Sequence, residues 1–125
     1  MLLPQPVTVA ALPPNNHTYS QAVRLGNLVF VSGQLGITPG GTLAEDIGGQ
    51  TAQALDNVSR VLEAAGSSMA QVAKVNIFIT DFSLLAEVNR VYETYFPHRP
   101  AKTTVEISKL DRGAKIEIEV VASAG

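Results

Sequence analysis

The residues able to do chemistry are few and scattered: Tyr19, Ser32, Gln34, Asn89, Lys102, Thr104 and Glu117. Together they offer one cation for the anionic end of a ligand, one carboxylate for moving a proton, and hydroxyl and amide groups to orient what is bound. The stretch RPAKTTVEI, Arg99 to Ile107, sets the question most sharply. A proline is followed by a lone lysine and then by an alternating run that reads as a strand. Lys102 is either a solvated strand-edge charge or the clamp for an anion. The others have ordinary accounts as well. Tyr19 suits an anchored loop aromatic, Glu117 a solvated strand residue, and Asn89 a core amide satisfied by backbone.

Several reaction classes are excluded at once. The chain has no cysteine, so thiolate nucleophiles, disulfides and thiolate zinc sites are absent. His17 and His98 sit in proline-flanked loops without a partner at metal-ligand spacing, so no metal site is expected. No nucleophile elbow, P-loop or dinucleotide fingerprint occurs, and no cofactor is implied. SGQLG at 32–36 follows a strand into a loop and signals only close backbone approach. Ser32 has no evident base.

A net charge of −2, from 9 basic and 11 acidic residues, argues against nucleic acid as a partner. No apolar run reaches the length of a membrane span, and the N-terminal segment lacks the basic start of a signal peptide; a cytoplasmic protein is expected. Only 16% of the residues are charged, too few to cover the surface of a small monomer, which points to a homo-oligomer. At 125 residues the chain reads as one domain, 1–125, and can bury about two-thirds of the surface it exposes unfolded.

The elements that must carry these residues follow from hydrophobic period and turn signals. Pro4, Pro6, Pro13 and Pro14 make residues 1–16 an extended lead-in with a short strand around Val7–Ala10. Gln21–Leu25 and Leu28–Ser32 read as a hairpin around Gly26-Asn27. Residues 46–65 are the clearest helix, with Asp46 as N-cap, Gly66 at the left-handed C′ position and an apolar stripe from Ile47 through Thr51, Leu55, Val58 and Leu62. Val72–Thr80 alternates as a strand, with Ala73, Val75, Ile77 and Ile79 on one face. A second helix is expected from Asp81 to Phe96 on a stripe of Phe82, Leu85, Tyr92 and Phe96.

Thr103–Lys109 and Ala114–Ala122 then read as a closing hairpin that pairs Ile107 with Ile116 and Val105 with Ile118. In that register Lys102, Thr104 and Glu106 share the other face with Glu117 and Glu119, a face either solvated or lining a site. The order β-β-α-β-α-β-β predicts a two-layer α+β domain, a mixed sheet with two helices on one face.

In order along nearly the whole chain, YSQAV-x-LGNLVFVSGQ (19–34), QT-x-QALDNV (50–58), VLEAAGSS (61–68), VAKVNIFITDF (72–82), VN-x-VYE-x-YF (88–96), RPA-x-TTVE (99–106) and KIEIEVVA (115–122) resemble the RidA family, also called YjgF/YER057c/UK114. The resemblance implies a chorismate-mutase-like fold, a homotrimer with clefts between subunits, and cofactor-independent hydrolysis of reactive enamines and imines such as 2-iminopropanoate and 2-iminobutanoate. It carries Lys102 to the carboxylate clamp, Glu117 to the water-positioning acid, the backbone at Thr104 to a further contact, and Tyr19, Ser32, Gly33 and Asn89 to the walls of the cleft. The family pattern has arginine where this chain has Lys102, and the exchange is not conservative at a bidentate site. Arg99 is the other nearby cation, but a spacing of three along an extended segment predicts that it points the other way.

Three readings therefore stand: an enamine or imine hydrolase, a different enzyme in which Lys102 forms a Schiff base, and a non-catalytic trimer binding a small imino or keto acid, another carboxylate or a protein partner.

Overall fold

The computed structural model describes residues 1–10 and 18–125; Pro13, Pro14 and His17 lie outside the described residues. Eight elements follow in chain order: β1 (Gln5–Val7), β2 (Ala22–Leu25), β3 (Leu28–Leu35), α1 (Ile47–Ala64), β4 (Val72–Ile79), α2 (Leu85–Tyr95), β5 (Ala101–Glu106) and β6 (Ile116–Ser123). They form one mixed six-stranded sheet, in the order β1-β2-β3-β6-β4-β5, and two helices. The leading strand lies at Gln5–Val7, slightly earlier than expected.

Local signals account for most of this. Gly26, at φ +57°, turns the β2–β3 hairpin, and Leu25 pairs with Leu28. Asp46 caps α1 by accepting from Gly49 N at 2.6 Å, and Gly66 takes φ +81° beyond its end. The apolar stripe of α1 is buried through Thr51, Ala54, Leu55, Val58, Val61 and Leu62. Asp81 caps a single 3-10 turn, Phe82–Leu84, which leads into α2. That turn leaves Phe82 48% exposed, so the buried seam of the second helix is Val88, Tyr92 and Phe96 rather than one beginning at Phe82.

The closing hairpin does not form. β6 lies between β3 and β4, antiparallel to both, and β5 runs parallel to β4 at the sheet edge. Ile116 and Ile118 pair with Ile79 and Ile77, not with Ile107 and Val105. The composition of the strands explains why. Ile116, Ile118, Val120 and Ala122 are buried on one face of β6, and a strand so apolar gains most at the sheet centre. β5 offers Lys102, Thr104 and Glu106 at the corresponding positions, and such a strand suits an edge.

A second local difference falls in β4. The β4–β6 register shifts between Val72 and Lys74, so Val72 is buried and Ala73 exposed, the reverse of strict alternation.

One core sits between the helices and the sheet. It joins Leu55, Val58 and Leu62 of α1 and Val88 and Tyr92 of α2 to Val29, Val75, Ile77, Ile116 and Ile118. Two buried side chains of α1 tie it to the sheet end: Asn57 Nδ2 donates to Leu35 O and Ile37 O at 3.1 and 2.9 Å, and Gln50 Oε1 accepts from Lys115 N at 2.8 Å. The opposite sheet face is barely covered, with Leu28, Phe30 and Val105 45%, 40% and 39% exposed. Among the described residues no helix is long and apolar enough to cross a membrane.

Candidate functional site

The candidate residues fall into two groups, one on each face of the sheet. Paired residues in neighbouring strands share a face. Lys102 pairs with Val75, and Thr104 with Ile77, both fully buried under the helices. Lys102, Thr104 and Glu106 therefore stand on the helix side. Glu117 pairs with Phe78, which pairs in turn with Val105, and Glu119 pairs with Asn76. Those residues stand on the open side. The expected single polar face carrying both Lys102 and Glu117 is thus split, because parity along two strands fixes a shared face only when their pairing is known, and β4 separates β5 from β6.

The first group forms around α2 and the start of β5. Lys102 Nζ donates to Asn89 Oδ1 at 2.7 Å and lies 4.5 Å from the centroid of the Tyr92 ring, a cation–π distance. Asn89 is thus partnered by Lys102 rather than by backbone. Among the described residues no carboxylate lies within ion-pair distance of Lys102; Glu106 is occupied in accepting from Phe82 N at 2.8 Å. Burial lowers the Lys102 pKa below its ordinary value, since desolvation penalises the ammonium. The Tyr92 hydroxyl is buried without a hydrogen-bond partner, and burial raises its pKa to about 12.

Beside this cluster opens a groove of about 660 Å³, lined by Tyr92, Glu93, Phe96, Arg99, Pro100 and Lys102 among others. Its size is that of a small-ligand site. Arg99 lines the same groove as Lys102, contrary to the expectation from spacing. The segment is not extended at that point: Arg99 adopts φ +57° and its N–H donates to Phe96 O at 3.1 Å, closing a turn that breaks the alternation.

β5 adds its free edge. Ile107 N donates to Ile79 O at 2.9 Å, and along a parallel ladder the residues whose main-chain groups meet the neighbour alternate. The main-chain groups of Lys102, Thr104 and Glu106 consequently face away from β4.

The second group gathers at a bulge in β3. The β3–β6 register shifts between Val31 and Gln34, leaving Ser32 and Gly33 as the irregular pair. Glu117 packs so closely on Gly33 that a Cβ there would meet Glu117 Cδ at 2.5 Å. Ser32 Oγ donates to Ser20 O at 2.6 Å and Ser32 N to Gln21 O at 2.9 Å, which brings Tyr19, 49% exposed, alongside the bulge. Gln34 Nε2 holds Gln21 Oε1 at 2.8 Å. Burial raises the Glu117 pKa, and the neighbouring charges of Glu119 and Asp111 raise it further.

Sequence reasoning missed two residues here. The apolar stripe marks Tyr92 as core, and it is core on one side while its ring carries Lys102 on the other. Spacing alone puts Arg99 on the wrong side, although Pro97 and Pro100 around it are a signal that simple alternation fails. His98 is structural, with Nε2 2.9 Å from Val72 O and its ring against Phe96.

Known proteins share this architecture. Residues 8–124 match the family model described as endoribonuclease L-PSP. A 2-iminobutanoate/2-iminopropanoate deaminase of Salmonella typhimurium is 39% identical over 109 residues, covering 83% of this chain and 85% of the relative. The crystal structure of the yeast protein YEO7 superposes with a TM-score of 0.95 at 38% identity, covering 98% of this chain and all of the other. That of E. coli TdcF with bound serine gives 0.91 at 32% identity, covering 97% and 99%. By sequence along nearly its whole length and by fold, the chain belongs to the RidA family.

Proposed function

We propose that this protein hydrolyses small 2-imino acids, with their enamine tautomers, to 2-keto acids and ammonia, in clefts between the copies of a homotrimer and without a cofactor. The observation that carries the reading is the division of the candidate residues. An anion-holding group, Lys102 with Asn89 and the β5 edge, and a proton-handling group, Glu117 on Gly33, lie on opposite faces of one sheet. They are also two strands apart, about 10 Å. One copy cannot bring both to the same small molecule, whereas two copies meeting at the open face and the β5 edge can. The exposed Leu28, Phe30 and Val105 give that face the apolar character such an assembly needs. The name of the Salmonella relative and the serine bound in TdcF support an amino-acid-sized ligand.

The chemistry asks for position more than for power. Lys102 holds the substrate carboxylate, with the outward N–H of Thr104 as a second donor, so the imine carbon lies over Glu117 of another copy. The Glu117 carboxylate takes a proton from a water molecule as its oxygen bonds to that carbon, and the C=N bond becomes C–N. The proton passes from Glu117 to the nitrogen. As the C–N bond breaks, the hydroxyl oxygen forms the C=O bond and its proton leaves with the nitrogen as ammonium. A protonated imine and one water thus give one keto acid and one ammonium ion. Tyr19, Ser32 and Gly33 shape the wall beside Glu117, and Gly33 leaves the room that its carboxylate fills.

The test is ammonia release from freshly generated 2-iminobutanoate. The wild type is expected to accelerate it well beyond buffer, and Lys102→Ala and Glu117→Gln to abolish the acceleration. A wild-type rate equal to the buffer rate at high protein concentration overturns the reading.

The lowered Lys102 pKa and its lack of a carboxylate partner favour one second reading, in which the neutral amine forms a Schiff base with a carbonyl substrate. Borohydride trapping with 2-oxobutanoate, read by mass at Lys102, separates the two: no adduct is expected from the hydrolase.

A further inference from the structure

Two arginines of this chain hold left-handed backbone conformations, Arg99 at φ +57° and Arg112 at φ +59°. Side chains rarely occupy that region, and glycine would do so without strain. Arg112 has a structural use for its position, since Nη2 donates to Gly41 O at 3.0 Å. The Arg99 guanidinium has no hydrogen bond or ion pair among the described residues. What the turn at Arg99 does is put a second cation on the wall of the groove that Lys102 lines. Residues held in such sparsely populated conformations cluster at ligand clamps.

The groove is larger than a three- or four-carbon imino acid needs. Glu93 is the single carboxylate among its lining residues, against the two cations Arg99 and Lys102, and the packed rings of Tyr92 and Phe96 add apolar surface. A monocarboxylate held by Lys102 leaves Arg99 unanswered. Three residues of chain reach at most about 10 Å, so a second acidic group a few carbons from the first falls within the span of the two side chains.

We infer that the site selects substrates with two anionic ends, small 2-imino or 2-keto dicarboxylates, with Lys102 on the carboxylate beside the reacting carbon and Arg99 on the distal one. The inference rests on the anion role proposed for Lys102, but it concerns binding and needs no turnover. Arginine is the better choice for the distal acid because its planar fork gives two parallel hydrogen bonds and fixes the length of ligand accepted.

Calorimetric titration of the intact protein with matched keto acids tests this: 2-oxopentanedioate against 2-oxopentanoate, with the four- and six-carbon diacids to set the length. The wild type is expected to bind its best diacid about ten- to a hundredfold more tightly than the monoacid, the worth of one charge-assisted pair. Arg99→Gln, which keeps part of the stem and the same backbone demand, is expected to erase that preference by weakening the diacid far more than the monoacid. Arg99→Lys is expected to restore part of it, and Lys102→Ala to weaken both ligands.

Equal affinity for the two ligands, or no diacid binding at all, overturns the inference. So does an Arg99→Gln protein that keeps the preference, or one that changes only in assembled mass and so assigns Arg99 to a subunit contact. A clear diacid preference without imine turnover leaves the inference standing and removes the proposed reaction.

Discussion

Lys102 and Glu117 stand on opposite faces of the same sheet, Lys102 paired with Val75 under the helices and Glu117 paired with Phe78 on the open side. The proposed hydrolysis, which uses both residues, therefore draws them from different copies of the chain. Most of the expected behaviour of variants follows from this separation.

In the proposed carboxylate clamp, Lys102 is a point charge where a planar fork would serve better. Lys102→Arg is expected to raise kcat/KM for 2-iminobutanoate about ten- to a hundredfold, by adding a charge-assisted hydrogen bond of about 1.5–3 kcal/mol. Asn89→Ala, which removes the 2.7 Å partner that orients the ammonium, is expected to raise KM several-fold with a smaller change in kcat. Steady-state kinetics of the three proteins side by side check both.

Glu117 carries a pH signature. Its pKa is raised in the folded protein above the ordinary value of 4.5, so the folded chain binds more protons than the unfolded one between those two values. Stability therefore falls as pH rises through that interval, and above it the ionised carboxylate is a standing cost. Glu117→Gln is expected to melt at a higher temperature than wild type at pH 8, with the difference vanishing below about pH 4.5, while losing turnover at every pH. Melting curves across pH and a parallel activity profile read the two effects separately.

Gly33 is required by contact rather than by conformation. Gly33→Ala would put a methyl group 2.5 Å from Glu117 Cδ, and the carboxylate must move. The expected result is a stability loss of about 1–3 kcal/mol from overpacking and turnover reduced at least as far as in Glu117→Gln. Chemical denaturation with activity per folded molecule distinguishes displacement of the carboxylate from simple unfolding.

Asn57 is a purely structural counterpart. Asn57→Ala leaves Leu35 O and Ile37 O without their donor at the end of β3. A cost of about 1–3 kcal/mol is expected from the buried unsatisfied groups, with kcat/KM per folded molecule unchanged. Denaturant titration and kinetics on the same sample check it.

Local order was legible in the sequence, and long-range pairing was not. Asp46, Gly66 and the stripe through Leu55 and Val58 define α1 because a helix is specified by neighbours three and four residues apart. The Gly26-Asn27 turn defines its hairpin for the same reason. The place of β6 depends on competition between strands 37 or more residues apart, which no local signal decides, so adjacency in sequence suggests a β5–β6 hairpin that the apolar β6 abandons for the sheet centre. The identities of Lys102, Asn89 and Glu117 were legible as candidates, but their division between two faces depends on that pairing. Arg99 was hidden by a single left-handed residue.

The central claim is that a working site takes Lys102 from one copy and Glu117 from another, and subunit mixing tests it most directly. Lys102→Ala and Glu117→Gln proteins, each inactive alone, are unfolded together and reassembled at equal concentration, and 2-iminobutanoate turnover is measured. Random pairing at a heterologous interface makes about one interface in four intact, so roughly a quarter of wild-type activity is expected. A mixture that reassembles to the wild-type mass and stays as inactive as its parents contradicts the shared site.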